Sequence, residues 1–70
     1  MTAPRDGVLA VLRDAGEPLH WTVIQDRALR AGMLDPFAHP DVRGTVRDAL
    51  AALVADGLVV KTAKGVYAPV

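Results

Sequence analysis

The sequence contains no cysteine, so neither a disulfide framework nor a thiolate metal site can be built from it. Aromatic residues are scarce, with one tryptophan, one tyrosine and one phenylalanine among 70 residues, and no row of stacking side chains for unpaired bases is evident. No apolar run approaches the roughly 20 residues that cross a bilayer. No charged leader, apolar segment and small-residue cleavage site follow one another at the start, so the expected location is the cytoplasm, with no membrane partner. The two histidines, His20 and His39, lie far apart without ligand partners around them, and neither a metal nor any other cofactor is expected. A glycine-rich phosphate loop is missing, and no nucleophile, base and orienting group can be assembled. Neither an enzyme nor a small-molecule substrate is therefore expected. Net charge is lacking as well: eight Lys and Arg balance eight Asp and Glu, whereas a dedicated DNA binder usually carries a basic excess.

Apolar residues, mainly Ala, Val and Leu, make up 51% of the chain, enough to exclude disorder. Residues 1–70 fit one domain, and a chain of this size hides only about 60% of its unfolded surface, so its core must be economical. The charge is unevenly placed. Residues 1–42 hold four basic and six acidic side chains, residues 43–70 four basic and two acidic. The C-terminal part is thus the one suited to face an anion.

Val8, Leu9, Val11, Leu12 and Ala15 recur in helical phase and predict a first helix over residues 5–15, stopped by Gly16 and Pro18. Leu19, His20 and Trp21 read as a short extended stretch. Thr22 followed three residues later by Gln25 fits a capping box, so a second helix is expected from Thr22 to about Ala31, with Ile24, Ala28 and Ala31 inward and Gly32 as its stop. Residues 33–40, with two prolines, read as a loop anchored by Met33, Leu34 or Phe37. Asp41 can cap a third helix over residues 42–55, whose inward stripe is Val42, Val46, Ala49, Leu50 and Leu53 and whose stop is Gly57. The period then changes to that of strands: residues 58–62 and 66–68 predict a β-hairpin around Ala63, Lys64 and Gly65. The order is helix, short strand, helix, loop, helix and hairpin. This predicts a mainly α fold with a small β-sheet, a winged helix-turn-helix of three helices, a short strand and a C-terminal hairpin wing.

The segments AVLRDAGEPLHWTVI, RALRAGML, TVRDALAALVADG and KGVYAPV together give the chain a family likeness over almost its whole length, the LHWTVI stretch after a Gly-x-Pro stop being the most particular. On these segments it resembles the HARE-type winged helix-turn-helix domains. The resemblance implies a winged-helix module of the kind attached to chromatin, DNA-repair, restriction or DNA-modification proteins, or to a transcription accessory subunit of bacterial RNA polymerase. It implies no catalytic residues. The stretch AHPDVRGTV departs from the simpler Thr-Pro lead into the third helix that such domains tend to have.

In a helix-turn-helix the third helix enters the major groove. Arg43 and Arg47, four residues apart, share one flank of it, and arginine suits both phosphate clamping and bidentate contact with guanine; Thr45 of the same helix is counted with them. Lys61, Thr62 and Lys64 surround the hairpin tip, where lysines can meet backbone phosphate. These six residues form the candidate DNA-binding set, with duplex DNA as the partner. Each also has a plainer reading: the arginines as solvated surface charges, and the lysines as guards against edge-to-edge strand pairing. The outermost positions of the third helix are Gly44, Asp48, Ala51 and Ala55. Small residues read few base edges, so this face suits a protein partner or a homodimer instead. Trp21 is open to two readings, filler at the core margin or a stacking surface.

Overall fold

The computed structural model describes residues 3–70. Helix α1 (Pro4–Ala15) opens on a proline, tolerated there because a first-turn N–H has no helical partner, and closes on Gly16 at φ 64°. Val8, Leu9, Val11 and Leu12 are buried as the periodicity requires, and Ala15 packs at the margin. Gly7 is buried with them, because the chain at Met33 passes close over it: a Cβ on Gly7 would stand 2.9 Å from both the Cβ and the carbonyl oxygen of Met33. At an open helical site Gly→Ala gains about 1 kcal/mol. Here Gly7→Ala is expected to lose about 1–3 kcal/mol, since the crowded atom is backbone. Urea denaturation measures it, and a net gain would show that the segment around Met33 yields.

Strand β1 (Leu19–His20) and helix α2 (Trp21–Arg30) correct the expected boundary. Trp21 is the first residue of the helix, and the residue that caps it is His20 rather than Thr22. The Thr22 N–H donates to His20 Nδ1 at 3.2 Å, and the Thr22 hydroxyl bonds the same nitrogen at 2.8 Å. The reciprocal Gln25 bond is not made; Gln25 Oε1 is buried without a partner among the described residues. His20→Ala is therefore expected to cost about 1 kcal/mol and Thr22→Ala less. Thermal denaturation of both variants checks this, and a larger loss at Thr22 would return the capping role to its hydroxyl. Ile24 and Ala28 are buried as expected, but Ala31 is exposed at the helix end and Leu29 packs on the core in its stead.

Within the connecting loop the anchor is Leu34, 3% exposed, with Met33 at the core margin. Phe37 is not an anchor: it is 94% exposed. Asp35 accounts for this, its carboxylate accepting from the Phe37 N–H and its carbonyl from the His39 N–H, both at 2.9 Å. That tight turn holds the Phe37 ring outward. Helix α3 (Val42–Ala55) begins as expected at Asp41, whose side chain accepts from the Gly44 N–H at 3.0 Å. Val46, Ala49, Leu50 and Leu53 are buried, and Val42 packs against them.

Strands β2 (Val59–Ala63) and β3 (Val66–Pro69) form the hairpin, and the antiparallel sheet runs in the order β1-β3-β2. Leu19 pairs with Tyr67 and His20 with Val66 on one side of β3; Lys61 pairs with Tyr67 on the other, with a bulge between Lys61 and Ala63. The core is shared by all three helices, with Val8, Leu12, Ile24, Val46, Leu50 and Leu53 the most completely enclosed, and Val59 and Leu19 bring the sheet onto it. An exposed Arg5–Asp56 pair links the start of α1 to the end of α3 and contributes little. Three helices with a small three-stranded antiparallel sheet in this order form a winged-helix layout. Among the described residues no helix is long and apolar enough to cross a membrane.

Candidate nucleic-acid interface

Three segments distant in the sequence meet beside the first half of α3. The turn of the hairpin is docked on the start of α2 by a backbone bond, the Trp21 N–H donating to the Gly65 carbonyl at 2.9 Å. Gly65, at φ 72°, permits both the turn and the approach: a Cβ there would lie 3.0 Å from His20 Nε2 and 3.2 Å from Trp21 Cδ1. On the other side α3 brings Arg43 across the indole, its guanidinium carbon 4.8 Å from the ring centroid. At a partly exposed site such a cation–π contact contributes about 0.5–1 kcal/mol.

Between α3 and the wing lies a groove of about 390 Å³. Arg43, Arg47, Lys61 and Lys64, all exposed, form its rim, while Leu50, 1% exposed, lies at its bottom and Trp21 and Tyr67, both half-buried, line its walls. Among the described residues no carboxylate lines it. Asp48 touches Arg47 from outside, at 4.0 Å and with both side chains exposed, a pair that water screens heavily. Among the described residues Arg43, Lys61 and Lys64 make no ion pair, whereas Arg5 and Arg30 elsewhere do.

Four of the six residues expected to face DNA are thus brought together. Thr45 and Thr62 are not part of the groove: Thr45 is half-buried on α3 and Thr62 is exposed at the bulge of β2. On the alternative face Asp48, Ala51 and Ala55 are exposed as the helical phase requires. Gly44 is not part of that open face. It is buried beneath its own cap, and a Cβ there would collide with the Asp41 carboxylate. The helical wheel counts angle around an axis and cannot register a capping side chain folded back over the first turn.

No family model, curated protein or solved structure matches the chain. The chemistry of the groove is therefore read from its own side chains. Four cations around one concavity attract polyanions, and the two arginines can clamp phosphate oxygens in bidentate fashion. Aromatic walls add a surface for a planar group. A second depression of about 760 Å³, wider and more open, lies between α1 and α2; there Asp14 accompanies Arg27 and Arg30, and the field is of mixed sign. Among the described residues no three His, Asp or Glu side chains are placed to hold a metal ion.

Sequence reasoning missed His20, Tyr67, Gly65 and Leu50 as parts of the site. Tyr67 had one available signal: it occupies the central strand between Leu19 and Lys61, so whatever uses Lys61 adjoins it. Leu50 carried none, since a core residue and a groove floor have the same helical phase.

Proposed function

We propose that this domain binds duplex DNA without catalysing a reaction, α3 facing the major groove and the wing resting on the adjacent backbone. The observation that carries this reading is the convergence of Arg43, Arg47, Lys61 and Lys64 on one groove that no carboxylate among the described residues lines. A formally neutral chain can do this because fields are local. At physiological salt a charge is screened over about 8 Å, so acids on other faces weaken the groove's potential little. The likeness to HARE-type domains points in the same direction, toward a binding module of a transcription, restriction or DNA-modification assembly. Sequence reading is expected to be modest, because the exposed positions of α3 beyond the arginines are Asp48, Ala51 and Ala55.

That same small face favours a second reading, a winged helix that docks on a protein or on a second copy of itself. Fluorescence anisotropy with labelled duplexes across a range of salt, together with solution mass by light scattering, separates the two. Four phosphate contacts give a slope of log K against log salt near −3.6, at about −0.9 for each contact. A dimer with no salt-dependent affinity for any duplex, broken by Ala51→Arg, would replace the DNA reading with the protein one.

A further inference from the structure

We infer that the groove between α3 and the wing holds one unpaired nucleotide of a DNA strand, its base against Trp21 and its flanking phosphates on the cations of the rim. This rests on the DNA-binding reading and goes beyond it. A paired backbone passing over the domain needs only the rim. It leaves unused an interior of about 390 Å³ walled by Trp21 and Tyr67 and floored by Leu50, a volume within the range of about 300–1,000 Å³ that encloses small ligands. An apolar, aromatic interior under a cationic rim matches a nucleoside phosphate: a planar base that stacks, joined to a charged group that does not enter.

Arg43 makes the exchange feasible. It lies on the indole face and, among the described residues, makes no ion pair with a carboxylate. A base stacked on an aromatic ring is a stronger contact than an exposed cation–π pair. A base entering the groove therefore takes the indole face, and the displaced guanidinium reaches the phosphate beside it, where a charge-assisted bond replaces what it gave up. The nucleotide must be unpaired, because a base inside a duplex reaches such an interior only after it is unstacked, and that cost is least where no partner base holds it. The same chemistry could come from a free nucleotide. The strand is the better match, because the cations come in two pairs from two elements, Arg43 and Arg47 from α3 and Lys61 and Lys64 from the wing, and a strand carries a phosphodiester on either side of each base whereas a free nucleotide carries its charge on one phosphate.

The test titrates the 70-residue chain with three probes: a fully paired duplex, the same duplex carrying a single adenine bulge, and free deoxyadenosine monophosphate. The bulged duplex is expected to bind about tenfold more tightly than the paired one, within the range for one stacked base. Trp21 is the sole tryptophan, so its emission reports the groove alone. Bulge binding should quench it and shield it from acrylamide, while the paired duplex should not. Trp21→Leu should abolish the tenfold preference, read as the ratio of bulged to paired affinity so that any general loss through Arg43, which rests on the indole, cancels. If that variant does not fold, acrylamide shielding in the unaltered protein decides the same point. Equal affinity for bulged and paired duplexes, or a bulge preference that leaves Trp21 accessible, overturns the inference while duplex binding stands. Free nucleotide binding as tightly as the bulged duplex overturns the strand as its source. Absence of salt-dependent binding to every duplex removes both this inference and the reading beneath it.

Discussion

Leu53→Ala is expected to destabilise the fold by about 2–5 kcal/mol. Leu53 is wholly enclosed at 0% exposure, on the face of α3 that joins the core shared with Leu12 of α1 and Ile24 of α2. Removing its isopropyl end forfeits the transfer free energy of three carbons and leaves a void that three helices must collapse upon. A domain of this length holds roughly 4–10 kcal/mol in total at about 0.05–0.15 kcal/mol per residue, so the variant loses a large share of its stability and its denaturation midpoint is expected to fall accordingly. Leu50→Ala shares the expectation, but Leu50 also floors the groove, which makes Leu53 the cleaner measure of the fold. Guanidinium denaturation followed by circular dichroism measures both, with Ala55→Ser on the exposed face as a control expected within about 0.5 kcal/mol of the parent. A loss below about 1 kcal/mol at Leu53 would place the register of α3 in error.

The second large effect is on binding. Lys61→Ala combined with Lys64→Ala removes two of the four rim cations, both exposed and neither in an ion pair among the described residues. Stability should hardly change. If each lysine meets one phosphate, the slope of log K against log salt should become shallower by about 1.8, at about 0.9 per contact. Over a fourfold rise in salt the unaltered domain then loses about twelvefold more affinity than the double variant. The loss at low salt should be nearly the same on every duplex, because phosphate contacts position a protein without reading bases. Anisotropy on two unrelated duplexes supplies both numbers. An unchanged slope would remove the wing from the interface, and a loss confined to one duplex would mean that a lysine reads bases.

The element order and the interior were legible in the sequence because the rules that set them are local. Helical phase needs only the neighbours three and four residues away, which is why Val8 to Leu12 and Val46 to Leu53 fell on buried faces. Gly16 ended α1 and Asp41 began α3 because a left-handed terminus and a carboxylate cap act within one turn of the chain. The basic bias of residues 43–70 likewise marked the segment that supplies all four cations of the groove.

What the tertiary structure decided lies where remote segments compete for the same groups. The capping box at Thr22 was locally sound, yet β1 ends at His20 because its partner β3 begins at Val66, and the Gly65 carbonyl then takes the Trp21 N–H, so the helix is capped at His20, two residues before Thr22. No window of sequence around Thr22 contains Gly65. Phe37 shows the reverse: its hydrophobicity proposed an anchor, but the Asp35 turn left Leu34 and Met33 to fill the core and the ring in solvent. The groove belongs wholly to this second class. The sequence alone determined that Arg43, Arg47, Lys61 and Lys64 exist on a helix and a wing. Only the docking of that wing on the start of α2 set them around one concavity with Trp21 and Tyr67 inside it, because a site between elements is a property of their packing and of no single element's pattern.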